Sequence, residues 1–179
     1  VGRHPRGKGL RGLSLADETG STTEVLARYE DGGLTWLDED LTLSNGLAWS
    51  PDGGRLYSID SEPGVVHVRD YPSGPRRDLF KVADGLPDGM CVDRDGNLWI
   101  AVWGRGRVEC RTPGGELLAV VEVDAPHTTS VAFAGPGLDV LVITSATAGL
   151  DPVPVNSGRL FTCRVNATGL PLPYWNPAL

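Results

Sequence analysis

The feature that most limits the possible folds is a repeat. Ser44-Asn45-Gly46-Leu47-Ala48-Trp49-Ser50-Pro51-Asp52-Gly53 is followed by Arg55-Leu56-Tyr57-Ser58-Ile59-Asp60 and then by Val65-Val66-His67-Val68-Arg69. Pro87-Asp88-Gly89-Met90-Cys91-Val92-Asp93-Arg94-Asp95-Gly96 is followed by Asn97-Leu98-Trp99-Ile100-Ala101-Val102 and Arg107-Val108-Glu109-Cys110-Arg111. Thr128-Thr129-Ser130-Val131-Ala132-Phe133 begins a third copy, which passes through Gly135-Pro136-Gly137, residues 139–144 and Gly158-Arg159-Leu160-Phe161-Thr162-Cys163. Asn45 and Asp88 are 43 residues apart, and Asp88 and Thr129 are 41 apart. A period of about 40–45 residues, carrying several short strands joined by Asp-Gly-type turns, is the signature of β-propeller blades.

Each repeat reads as strand, tight turn, strand, turn and third strand, with room for a fourth. Gly32-Gly33 before Leu34-Thr35-Trp36-Leu37 marks the outer strand of an earlier blade. With 24 Gly and 14 Pro, turns are frequent. No crossover helices are visible between the strands, so an α/β plan is set aside. Residues 1–179 are therefore expected to form one all-β domain, a partial propeller of about four antiparallel blades. Leu160 to Val165 reads as a last strand, followed by the Pro-rich Gly169-Leu170-Pro171-Leu172-Pro173.

Composition excludes some partners. The net charge is −7. The one basic cluster, Arg3, Arg6, Lys8 and Arg11, reads as a solvated loop, so no nucleic-acid partner is expected. The longest apolar run, near residues 138–143, is far short of the ~18 residues that span a bilayer, so no membrane partner is expected either. Cys91, Cys110 and Cys163 each fall in an expected strand and read as small buried hydrophobes of a reducing, cytoplasmic compartment; a disulfide with one thiol left over is the alternative.

Register picks out the candidate site. Asn45 stands seven positions before Asp52, and Asp88 seven before Asp95, just ahead of the first strand of their units. In a propeller the innermost strands line the central channel, so matched positions on neighbouring blades sit at one height around the axis. Asn45 offers a neutral carbonyl oxygen, Asp88 an anionic oxygen, and Thr129 fills the third slot with a hydroxyl. Oxygen donors from separate blades suit one hard divalent cation, Ca²⁺, Mg²⁺ or Mn²⁺, and Zn²⁺ is admissible. The plainer reading is that Asn-Gly and Asp-Gly are common tight-turn dipeptides, which accounts for Asp52-Gly53 and Asp95-Gly96 as hairpin turns. Gly-x-Ser-x-Gly is absent, and His4, His67 and His127 show no triad partner. His67 reads as an outer-strand residue and His127 as a channel-mouth residue.

These segments resemble the senescence-marker-protein-30/gluconolactonase/regucalcin family of six-bladed propellers. The resemblance rests on Ser44-Asn45-Gly46 with Trp49-Ser50-Pro51-Asp52-Gly53, Tyr57-Ser58-Ile59-Asp60-Ser61, Pro87-Asp88-Gly89-Met90, Gly96-Asn97-Leu98-Trp99 with Trp103-Gly104, and Thr128-Thr129-Ser130. It covers roughly residues 24–172. It implies metal-dependent hydrolysis of small sugar lactones, with Asn45 and Asp88 as two metal ligands and Asp88 also as general base. The metal would polarise the lactone carbonyl. The family's glutamate ligand near the N-terminus has no counterpart here. Six blades need about 240–270 residues, so the N-terminal blades are expected to be missing. Ala16-Asp17-Glu18-Thr19 resembles an acidic loop over the family's site, and Arg105 replaces a usual glycine at one rim. Three other readings stand beside the lactonase: a non-catalytic, ion-stabilised interaction propeller, a calcium-dependent hydrolase of apolar esters, and an inactive truncation.

Overall fold

The structure, a computed structural model, describes residues 2–3, 9–16, 22–30 and 33–171, with side chains for residues 24–30 and 33–171. Asp17, Glu18, Thr19, His4, Arg6, Lys8, Leu172 and Pro173 lie outside the described residues, as do the side chains of Arg3 and Arg11. The described residues are all-β and hold no helix, hence none long and apolar enough to cross a membrane.

Fifteen strands form four antiparallel sheets among the described residues. The first holds β1 (Gly2–Arg3), β2 (Gly9–Ala16), β3 (Thr22–Glu30) and β4 (Gly33–Leu41) in sequence order. The second holds β5 (Ser44–Trp49), β6 (Arg55–Asp60), β7 (Val65–Asp70) and β8 (Arg77–Lys81); the third holds β9 (Leu86–Val92), β10 (Leu98–Trp103), β11 (Arg107–Arg111) and β12 (Leu117–Glu122). The fourth has three strands, β13 (Thr128–Ala134), β14 (Val140–Ser145) and β15 (Leu160–Arg164). Each sheet is a meander, and the fourth strand foreseen as room in the repeat is present in the second and third sheets. Strand β4 is the outer strand expected after the Gly32-Gly33 pair.

Sheets meet through their first strands. Strand β9 packs between β5 and β13, and β1 lies beside β5. Between the second and third sheets the core is Tyr57, Ile59, Val66, Met90, Leu98 and Ile100, all buried. Between the third and fourth, Trp99, Val108, Cys110, Val131, Leu141 and Ile143 form the next layer. Middle strands thus carry apolar side chains on both faces, as a stack of sheets requires. Outer strand β12 is largely exposed.

The hairpin turns fall where expected: Gly53 and Gly96 adopt φ of 72° and 90°, the left-handed region that glycine enters without steric cost. Behind the second turn, Asp93 is buried and accepts hydrogen bonds from the Asp95 and Asn97 amides, the Asn97 side chain and Trp99 Nε1. Across the first two sheets, buried Arg69 holds Asp38 at 2.5 Å. The three cysteines are free thiols. Loss of solvent around the sulfur pushes Cys91 up to about 12 and Cys110 up to about 11, so both stay protonated; Cys110 is buried as expected, whereas Cys91 on β9 and Cys163 on β15 are only partly so. His67 is not an outer-strand residue: β8 pairs outside β7, so His67 lies on an inner strand, where it is buried, and burial, then Arg76, lowers its pKa.

Truncating Ile100, fully buried between two sheets, should lower unfolding free energy by about 2–5 kcal/mol. Leu118→Ala on exposed β12 should cost about 0.5 kcal/mol or less. Denaturant midpoints of the intact protein check this, and equal losses would contradict the packing described.

Candidate functional site

Asn45, Asp88 and Thr129 occupy one structural position. Each lies within the first strand of its sheet rather than just ahead of it, at a β-bulge. In the second sheet the pairs step from Ser44↔Asp60 to Leu47↔Ser58, three residues against two. In the third they step from Pro87↔Val102 to Met90↔Ile100, again three against two. In the fourth they step from Thr128↔Ser145 to Ser130↔Thr144, two against one. Each first strand therefore carries one extra residue at the same point. Bulges of this kind re-aim side chains and are frequent beside active sites.

The glycines after Asn45 and Asp88 are not turn glycines. Neither Gly46 nor Gly89 adopts the left-handed φ that marks Gly53 and Gly96. They serve close approach instead. A Cβ on Gly46 would lie 2.6 Å from the Asp88 carbonyl oxygen and 2.9 Å from Ile59 Cδ1, and one on Gly89 would collide with Ser130. The Asn-Gly and Asp-Gly dipeptides at 45 and 88 thus mark contact between sheets, while those at 52 and 95 mark hairpins.

Polar contacts tie the three positions to their neighbours. Asn45 Nδ2 donates to Ser61 Oγ at 3.0 Å, and Ser61 Oγ donates to the Pro87 carbonyl at 2.6 Å. Asp60 accepts from the Thr42 amide and hydroxyl and from the Leu43 amide, fixing the chain that enters β5. Thr129 Oγ1 lies 2.5 Å from Thr144 Oγ1 in a hydrogen bond. Its buried neighbour Thr128 donates towards the Val102 and Arg107 carbonyls, joining the third and fourth sheets. At the same end Trp103 pairs with Leu86 and bridges to His127, whose ring stacks on the indole at 3.9 Å. Arg105 is ion-paired with Asp84.

Asp88 differs from the other carboxylates that are partly or fully buried among the described residues. No donor or cation among the described residues pairs with it, and burial alone raises its pKa to about 6. Among the described residues no three His, Cys, Asp or Glu side chains cluster as a metal site. A cation here would be held by one carboxylate and neutral oxygens. The Asn45 amide oxygen accepts no hydrogen bond from the described residues, which fits that donor set and a hard divalent ion. By contrast, a depression of about 340 Å³ bordered by Arg94, Asp95, Asp139 and Thr168 lies at the other end of β9.

Comparison with known proteins assigns the family. The profile described as SMP-30/Gluconolactonase/LRE-like region matches residues 4–147. The chain belongs to this family. Regucalcin of Xenopus laevis is 34% identical over 160 residues, covering 82% of this chain and 54% of its own length. Among solved structures, a regucalcin of Agrobacterium tumefaciens described as a calcium-binding protein superposes with a TM-score of 0.87 at 26% identity, over 97% of this chain and 63% of its own. A gluconolactonase of Xanthomonas campestris superposes with a TM-score of 0.61 at 30% identity, over 76% of this chain and 50% of its own. The chain thus spans about half the length of the curated relatives it matches.

Reasoning from sequence missed the bulges, Ser61 and the Trp103–His127 stack. Ser61 had a signal, since it ends the Tyr57-Ser58-Ile59-Asp60-Ser61 segment; a bulge leaves none in a single sequence. Gly46→Ala should destabilise the intact protein by several degrees in Tm more than Gly33→Ala, whose Cβ would meet nothing closer than 3.7 Å among the described residues. Thermal melts decide it, and equal shifts would remove the close-approach role of Gly46.

Proposed function

We propose that the intact protein is a six-bladed propeller that hydrolyses small sugar lactones at a site built on Asn45 and Asp88. The reading rests on the repeated bulge, which puts an amide, a carboxylate and a hydroxyl at one structural position in three adjacent sheets. Membership of the gluconolactonase family supports the substrate class.

Asn45 and Asp88 are the ligands for one divalent cation, Ca²⁺, Mg²⁺, Mn²⁺ or Zn²⁺. When bound, the cation supplies Lewis acidity to the lactone carbonyl. Asp88 takes a proton from the attacking water as general base while the water oxygen bonds to the carbonyl carbon. The ring C–O bond then breaks, and the proton held on Asp88 passes to the departing oxygen, giving the open hydroxy acid. Asn45 sets position without competing for that proton. Thr129 orients the sugar through its hydroxyl. A second reading, an ion-binding propeller without turnover, draws support from the Agrobacterium relative's description as calcium-binding.

Asp88→Ala in the intact protein should reduce gluconolactone hydrolysis by at least about 10³-fold and weaken divalent-cation binding, with folding retained. Asp52→Ala and Asp95→Ala should leave turnover within a few-fold, because both are turn residues at the far end of their strands. Titrated hydrolysis assays test both arms. Near-normal turnover by Asp88→Ala with cation present would sink the role of Asp88, and cation binding without turnover in the unaltered protein would favour the second reading.

A further inference from the structure

The Asn45 side chain can face two ways, and only one presents its oxygen to a cation. Ser61 decides between them. Ser61 is 1% exposed, and its hydroxyl approaches the Pro87 carbonyl at 2.6 Å. A carbonyl only accepts, so the single Ser61 hydroxyl proton is committed to Pro87. Towards Asn45, 3.0 Å away, Ser61 Oγ can then only accept, and Asn45 must offer its NH₂ group. Turning the amide round would set two acceptor oxygens against each other at hydrogen-bond distance, with the Ser61 oxygen buried and the Asn45 side chain partly so, which is costly.

The backbone of Ser61 is fixed as well. Its amide donates to the Leu43 carbonyl at 3.0 Å, and its carbonyl accepts from the Gly64 amide at 3.0 Å. The relay is also specific to one sheet. Asp60, Val102 and Ser145 pair with Ser44, Pro87 and Thr128, so the residues matched to Ser61 are Trp103 and Ala146, neither of which bears a hydroxyl. Of the second, third and fourth sheets, only the one that carries the neutral amide has this device. Its far end is the carbonyl of Pro87, the residue directly before Asp88.

We infer that Ser61 is a positioning residue: it locks the Asn45 amide with its oxygen free to ligate, and ties Asn45 on one sheet to the strand that carries Asp88 on the next. The inference rests on the proposed ligand roles of Asn45 and Asp88. Groups of this kind behind metal ligands change affinity by roughly 10–100-fold when removed.

The test is Ca²⁺ titration of the intact protein by calorimetry, for the unaltered chain, Ser61→Ala, Asn45→Ala and the double variant. Ser61→Ala should weaken Ca²⁺ by about tenfold or more. In the Asn45→Ala background the same change should have less than about a twofold effect, because Ser61 acts through Asn45. If Asn45→Ala weakens binding but Ser61→Ala does not, or if the two losses simply add, the positioning role is wrong and the ligand assignment survives. Absence of saturable binding of Ca²⁺, Mg²⁺, Mn²⁺ and Zn²⁺ alike, titrated the same way into the unaltered protein, overturns both. Should Ser61→Ala fail to fold, NMR of the unaltered metal-free protein distinguishes the outcomes. The Asn45 side-chain amide protons should exchange slowly, as hydrogen-bonded donors do, and free exchange would overturn the inference.

Discussion

Backbone contact between the first strands of adjacent sheets governs the rest of this structure. Gly46 sits against the Asp88 carbonyl and Gly89 against Ser130, at distances that leave no room for a side chain. That approach brings three strands together at their bulges, and the bulges bear Asn45, Asp88 and Thr129. Beyond them the apolar layers take over, with Ile59, Met90 and Ile100 filling one gap and Trp99, Val131 and Leu141 the next. The site therefore belongs to the stacking of sheets and to no single one of them. This placement is rigid, since every element involved is strand or tight turn.

Polar wiring reinforces the stacking. Ser61 reaches from the second sheet to the third, Thr128 joins the fourth to the third, and Arg69 with Asp38 joins the second to the first. These groups are buried and have partners, so they add orientation where apolar packing alone is permissive. Asp88 is left out of the wiring. Its carboxylate is half-buried with no partner among the described residues, which costs stability in the ionised form. An unpaired carboxylate on a rigid frame is a common expense of functional sites.

Much of the fold was legible because the repeat carries its own punctuation. Asp52-Gly53 and Asp95-Gly96 were readable as hairpins, and the strands around them followed from alternation and from β-branched and aromatic residues. The shared offset of Asn45 and Asp88 was readable too, and so was the family. Two things were not. A bulge is a mismatch between two strands, so one strand alone cannot announce it, and sequence alone therefore puts Asn45 and Asp88 just before their strands instead of within them. The same dipeptide also serves two purposes: Asn45-Gly46 needs glycine for closeness and Asp52-Gly53 needs it for a left-handed turn, a distinction that exists only once the neighbouring sheet is in place. His67 escapes a reading from sequence for a related reason, since its place on an inner strand depends on β8 pairing outside β7.

The central claim is that Asn45 and Asp88 hold one cation between two sheets. Its most direct test is a crystal structure of the intact protein soaked in Mn²⁺, with an anomalous difference map. The account predicts one strong peak within about 2.0–2.6 Å of both Asn45 Oδ1 and an Asp88 carboxylate oxygen. Side chains that point to opposite ends of their strands, or a sole peak at the Asp95 and Asp139 end, would contradict it.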